Sequence, residues 1–254
     1  MKIIVCLRQV PSVESPIKPL PTPPFIDTTS ISYTTNPFDE FAVEEAVRIK
    51  ERLGRGEVTC LTLGPEGARQ ILLNALAMGA DKAIHIQEAA IPEDSYQVSY
   101  LLVEVIKGLP FDIILCGKEA IDDRQGAVGI ELAEHLNLPH VAVITRLDID
   151  PASKRATAQR QIEGGKEVVE CTLPAVFTCH KGLNEPRYPS LPGIMKAGKK
   201  PYQEVRGLTR PEPRLSLKGI ESLPPRKPGR KLEGEAAQVT EELIRLLRED
   251  AKVI

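Results

Sequence analysis

Residues 58–86, VTCLTLGPEGARQILLNALAMGADKAIHI, read in turn as strand, helix and strand. Val58 to Leu63 is an apolar run of strand length, and Gly64 and Pro65 open the segment that follows. Ala68, Ile71, Leu72, Ala75 and Leu76 then recur at helical spacing. Gly79 follows the last helical turn, where a left-handed residue is wanted, and Lys82 to Ile86 is a second apolar run. Two strands that are apolar almost throughout, joined by a helix, imply parallel neighbours covered on both faces with a right-handed crossover.

The alternation continues in both directions. Upstream, Ile3 to Leu7 is a strand, and Phe38, Phe41, Ala42, Ala46, Ile49 and Leu53 form a helical stripe. Asn36 reads as its N-cap, Pro37 as its first residue and Asp39 as a capping-box acid, with Gly54 past its end. Downstream, Val98, Leu101, Leu102, Val105 and Ile106 form a third stripe, Asp112 to Cys116 a fourth strand, and Val128, Leu132, Ala133 and Leu136 a fourth stripe. The expected fold is α/β, a doubly wound, mostly parallel, Rossmann-like sheet.

Beyond residue 140 the pattern changes. Val141 to Ile149, Ala156 to Ile162 and Lys166 to Leu173 read as strands, the last two joined as an added antiparallel hairpin across Glu163, Gly164 and Gly165. Two apolar strands follow that turn before a proline-studded segment at 183–201. Residues 202–233 are rich in proline and basic side chains with no sustained period, and read as an extended arm. An amphipathic helix from about Glu235 to Asp250 ends the chain, with Val239, Leu243, Ile244, Leu246 and Leu247 on one side. An α/β domain at 1–201 and a C-terminal arm and helix at 202–254 are therefore expected, the length of the arm favouring another subunit as the helix's partner.

Composition narrows the function. The net charge of −2 across 254 residues gives no bulk attraction to nucleic acid. No apolar run approaches the roughly 18 residues of a membrane span. The strand-like start MKIIVCLRQV has no signal-peptide layout, and the five cysteines form no CxxC pair, so a soluble cytoplasmic protein is expected. The four histidines are dispersed without metal-ligand spacing, and there is no GxSxG elbow or neighbouring acid–base pair. Asp39, Glu40, Glu44 and Glu45 share one helix, where acids near the start complement its dipole. These absences suit a carrier better than a hydrolase.

Two segments remain. The loop from Gly117 to Gly126 leaves the carboxyl end of a strand and enters a helix, the place where open parallel sheets bind ligands and where free amides favour an anion. It matches neither the Walker A pattern nor GxGxxG, and spacing alone favours a plainer reading in which Asp122 or Asp123 caps the helix. In the second segment, Pro186, Pro189 and Pro192 resist regular pairing. Leu191, Ile194 and Met195 would share one face of a short helical turn. Leu191 is expected to be exposed at the tip, Ile194 and Met195 to tuck into the core, and Lys196, Lys199 and Lys200 to be solvated or to steer acidic partners.

The second segment resembles the signature of electron transfer flavoprotein beta subunits at Asn184, Pro186, Arg187, Tyr188, Leu191, Pro192, Ile194, Met195, Ala197, Lys199 and Lys200. RQVP at 8–11, NPFDEFAVEEAVRIKE at 36–51 and the terminal AKVI extend the resemblance over nearly the whole chain. The resemblance implies an adenine-nucleotide alpha-hydrolase-like fold and a heterodimer with a larger alpha subunit. The redox FAD would lie mostly in that subunit, with this chain as one wall. It implies electron transfer from acyl-CoA or related dehydrogenases to a membrane quinone reductase, without substrate turnover by this chain. It also implies a structural AMP held by Cys6, Asn36, Pro37, Phe38, Asp39, Leu63, Gly117, Lys118, Glu119, Ala120, Ile121, Asp122, Asp123, Arg124, Gln125, Gly126, Ala127 and Val128. Leu191, Pro192, Ile194 and Met195 would belong to the loop that recognises the dehydrogenase, with Leu191 as its anchor.

The sequence departs from the family in places. Many members carry Asn-Gln-Thr or Thr-Ala-Gln where this chain has Arg124, Gln125, Gly126 and Ala127, and close relatives often show Arg-Glu where it has Arg160 and Gln161. Bifurcating, NADH-linked members hold a second FAD in place of AMP and commonly read Asp-Gly-Asp-Thr-Ala-Gln-Val-Gly. Residues 122–129 share the Val-Gly but lack the first glycine and the threonine, which favours AMP. An ATPase-like enzyme of similar fold is a further alternative, disfavoured by the missing metal-phosphate residues.

Overall fold

A computed structural model describes residues 1–225 and 228–254. Its elements, in chain order, begin with β1 (Lys2–Leu7), β2 (Gln9–Pro11), β3 (Tyr33–Thr35), α1 (Pro37–Leu53), β4 (Glu57–Gly64), α2 (Arg69–Met78), β5 (Lys82–Gln87), α3 (Ser95–Ile106) and β6 (Ile113–Gly117). They continue with α4 (Val128–Leu136), β7 (His140–Asp150), β8 (Arg155–Ile162), β9 (Gly165–Thr172), β10 (Ala175–Cys179), α5 (Leu191–Ala197), β11 (Tyr202–Val205) and α6 (Ala236–Glu249). Nine strands form one sheet in the order β11-β5-β4-β1-β6-β10-β7-β8-β9. Pairing is parallel from β11 through β7 and antiparallel across β7, β8 and β9; the apolar runs predict the parallel core and the Gly-Gly turn the β8–β9 hairpin. The short β2–β3 pair stands apart.

The period of two along a strand sorts side chains onto the two faces. Ile3, Val5 and Leu7 join α1 and α2 in one core, whereas Ile4 and Cys6 join α3 and α4 in the other. Each fully buried Ile or Leu contributes roughly 1.5–3 kcal/mol from apolar burial, so both helical layers are firmly held to the sheet. The chain runs from β1 outward to β4 and β5, then returns to place β6 on the other side of β1. That reversal opens a crevice at the carboxyl ends of β1 and β6.

The arm starts later than its composition suggests. Residues 202–205 form an edge strand along β5, where the Tyr202 hydroxyl meets His85 Nδ1 at 2.9 Å. Four residues are too few to show a period in sequence, yet they satisfy the backbone groups of β5 that would otherwise form a bare edge. One compact unit comprises Met1–Gly219 and a second Ile220–Ile254. Within the second, α6 carries an Arg245–Glu249 pair at 3.4 Å, and Arg230 reaches Glu242 at 2.9 Å. The basic run read at 223–231 includes Arg226 and Lys227, which lie outside the described residues. Among the described residues, no helix is long and apolar enough to cross a membrane.

Candidate functional site

The crevice is built from the start of α1 pressed against two strand ends. Asp39 is buried, and its carboxylate accepts the Arg8 N–H at 2.7 Å, the Gly117 N–H at 2.9 Å and an Asn36 Nδ2 hydrogen at 3.0 Å. Asn36 Nδ2 also donates to Glu119 O at 2.9 Å, and Asn36 Oδ1 accepts the Ile121 N–H at 3.2 Å. The expected capping box is therefore not formed. Asn36 N–H donates to Arg8 O, and Asp39 turns away to fasten the ends of β1 and β6. Burial pushes the Asp39 carboxyl up to about 7, against the opposing pull of its N–H donors and the Arg8 charge. Gly117 permits this approach, since a Cβ there would lie 2.8 Å from Phe38 Cβ.

Above this clamp lies an open cleft lined by the ends of β1 and β6, the 117–129 loop and the start of α4. Of the residues predicted from sequence, Cys6, Asn36, Asp39, Leu63, Gly117, Lys118, Glu119, Ala120, Asp123, Gln125, Gly126, Ala127 and Val128 line it. The other five do not line it. Pro37 lies in the first turn of α1, Phe38 carries the Lys118 ammonium 4.9 Å from its ring centre, and Ile121 is tied to Asn36. Asp122 pairs with Arg8 at 2.9 Å, and Arg124 occupies a left-handed turn at φ +52°.

Leu7, Arg8, Ile91, Val98, Leu102 and Cys116 also line the cleft without having been singled out from the sequence, as does Gly129, which the sequence suggests as a point of close backbone approach. Arg8 was discoverable as the first residue past β1 on the carboxyl edge. Ile91, in an irregular loop, carried no signal.

Neither Asp122 nor Asp123 caps α4. Both turn to Arg8, at 2.9 and 3.0 Å, and Ala127 occupies the cap position with no side-chain bond. The amides of Gly126, Ala127, Val128 and Gly129 consequently meet no protein acceptor among the described residues. Gly126 makes the turn at φ +63°. A row of free N–H groups at the positive end of a helix is an anion seat. The cations of the cleft are already neutralised, Arg8 by its two aspartates and Lys118 by Glu119 at 3.2 Å. Leu63, Ile91, Val98 and Leu102 add an apolar wall. Among the described residues no cluster of three or more His, Cys, Asp or Glu side chains suits a metal.

The proline-rich segment is fastened by acids that the sequence suggested were only dipole complements. Glu45 accepts from Asn184 Nδ2 at 3.0 Å, while Glu44 accepts from Arg187 Nε at 2.8 Å and Nη2 at 3.0 Å. Glu51 takes Arg187 Nη1 at 2.6 Å. In α5 the two small residues, Gly193 and Ala197, face α2; Ala197 is 3% exposed, and a Cβ on Gly193 would run into Ala77 O. The opposite side presents Leu191, Ile194 and Met195, which are 72%, 56% and 71% exposed. Ile194 and Met195 thus do not tuck into the core, because the close helix contact admits only the small side of α5. Lys200 is no free cation either, since its ammonium donates to Leu76 O and Ala80 O at the end of α2.

An α/β sheet with a crevice at its switch point and a row of free amides beside it is the open-sheet architecture in which ligand sites occur. Residues 25–207 match the electron transfer flavoprotein domain. The chain is 44% identical over 237 residues to the electron transfer flavoprotein subunit beta of Bacillus subtilis, covering 90% of this chain and 91% of that one. It is 38% identical to the subunit of the same name from Syntrophomonas wolfei, covering 100% and 98%, and 32% identical to that of Bos taurus, covering 100% and 99%. The chain belongs to the electron transfer flavoprotein beta-subunit family.

Proposed function

We propose that this chain pairs with a larger alpha subunit, binds AMP in the cleft and forms one wall of the site for a shared FAD. When bound, that flavin supplies the redox chemistry of the complex. The observation that carries the nucleotide reading is the row of unpaired amides at Gly126–Gly129 beside an apolar wall. The amides would hold the phosphate, and Leu63, Ile91, Val98 and Leu102 the adenine. With Arg8 and Lys118 already paired, a seat made of backbone suits a terminal monophosphate, which the helix start can surround. The alternative ligand is a second FAD, in a bifurcating NADH-linked complex.

The complex would accept electrons from an acyl-CoA or related dehydrogenase and deliver them to a membrane quinone reductase, as a carrier with no substrate turnover of its own. The exposed apolar face of Leu191, Pro192, Ile194 and Met195 supports docking of a dehydrogenase, and the chain beyond the sheet, through the amphipathic α6, supports docking on the alpha subunit. Free cysteines suit a cytoplasmic setting. Denaturing the purified heterodimer and measuring the released flavin and adenine nucleotide tests the reading. One FAD with one AMP is expected. Two FAD with no AMP would replace the carrier by the bifurcating alternative.

A further inference from the structure

We propose that residues 210–215 form a strap, anchored by the positioning residue Asp94, that holds one wall of the cleft closed and so couples strap attachment to nucleotide retention. The inference rests on the nucleotide reading of the cleft.

The wall in question is the irregular segment 88–94 between β5 and α3. Ile91 lines the cleft from within it. The backbone of this segment is held at its ends, where the Glu88 N–H donates to Gly64 O and Asp94 O accepts the Gln97 and Val98 N–H groups of α3. Among the described residues no backbone N–H of residues 89–93 has a protein acceptor. Ile91 packs on the core from within it, and the strap is bonded to its two ends, at Glu88 and Asp94.

Three attachments fasten the strap. The buried Asp94 carboxylate caps α3 by accepting the Tyr96 N–H at 3.1 Å, and its other oxygen accepts the Arg214 and Leu215 N–H groups, the latter at 3.1 Å. Gln97 Nε2 donates to Pro211 O at 2.7 Å, and the Arg210 guanidinium pairs with Glu88. The Arg214 guanidinium also lies 3.7 Å from the Tyr96 ring centre. On the inner side, Glu93 O accepts Gln125 Nε2 at 3.3 Å, joining the same segment to the loop that carries the amide seat. The segment is thus bonded outward to the strap and inward to the loop around the cleft. A ligand that orders the inner side lowers the cost of ordering the outer side, and the coupling is reciprocal.

The test uses the full chain in its heterodimer, with AMP as the probe. A double variant, Gln97→Ala with Arg210→Ala, loosens the strap but leaves the Asp94 cap on α3. It should release AMP about tenfold faster at an unchanged melting temperature, the size of a typical coupling between sites. Asp94→Asn, isosteric and still able to cap, should shift release in the same direction. In the wild type, saturating AMP should slow hydrogen exchange at the Arg214 and Leu215 amides, which a purely structural role would leave unmoved. Equal AMP release by wild type and both variants, with strap exchange insensitive to AMP, overturns the strap alone. A wild-type complex that binds no AMP overturns the reading of the cleft and the strap with it.

Discussion

Replacing Asp39 by Asn tests the centre of the site. The carboxyl is pushed from its ordinary 3.8 to about 7, because burial outweighs the N–H donors around it. The folded state therefore binds this proton more tightly than the unfolded chain. The stabilisation is fully present below about pH 4 and is lost as pH rises through about 7. At roughly 1.4 kcal/mol per pH unit, the interval amounts to about 4 kcal/mol. The amide of the variant cannot titrate, so the stability of Asp39→Asn relative to wild type should rise by about that amount between roughly pH 4 and 8. Urea unfolding of both proteins at closely spaced pH values measures it, and the difference between the curves cancels titrations the two share. A gap that stays constant within about 1 kcal/mol would refute the reasoning. So would a gap that moves against the variant as pH rises, for then the Arg8, Gly117 and Asn36 donors hold the carboxyl ionised despite its burial.

Leu191→Ala should leave the melting temperature almost unchanged, since truncating an exposed side chain shifts stability by less than about 0.5 kcal/mol. Reduction by the physiological dehydrogenase should slow by an order of magnitude or so while reduction by a small chemical reductant is unaffected, an interface anchor being worth about 2 kcal/mol or more. A large melting shift without a partner-specific defect would retire the anchor. Arg187→Ala leaves the buried Glu44 without its cation and removes the ion pairs that tie the 184–190 segment to α1, while Asn184 stays bonded to Phe41 O and Glu45. It should cost about 1–3 kcal/mol in urea unfolding, and a change below about 0.5 kcal/mol would show that the segment is held by other contacts.

Much of the fold was readable because buried parallel strands must be apolar and the helices between them must show a stripe. The runs at 58–63, 82–86 and 112–116 needed no tertiary information for that reason. The glycine turn at 163–165 likewise announced its hairpin. β11 was not readable, because Tyr202–Val205 is too short for a period and gains its place only from the open edge of β5.

The sequence by itself determined the α/β class, the carboxyl edge as the place of the cleft, and the family, through residues whose order along the chain carries the signal. Only the tertiary structure decided what the polar side chains do, because hydrogen-bond partners lie far apart in the chain. Asp39 looked like a cap and became a clamp across residues 8, 36 and 117; Asp122 and Asp123 looked like caps and pair with Arg8. Glu44 and Glu45 looked like dipole complements and anchor a loop some 140 residues away. The direction of α5 was decided in the same way. Period alone shows that Leu191, Ile194 and Met195 share a face, but the close contact of Gly193 with the backbone of α2 turns that face to solvent.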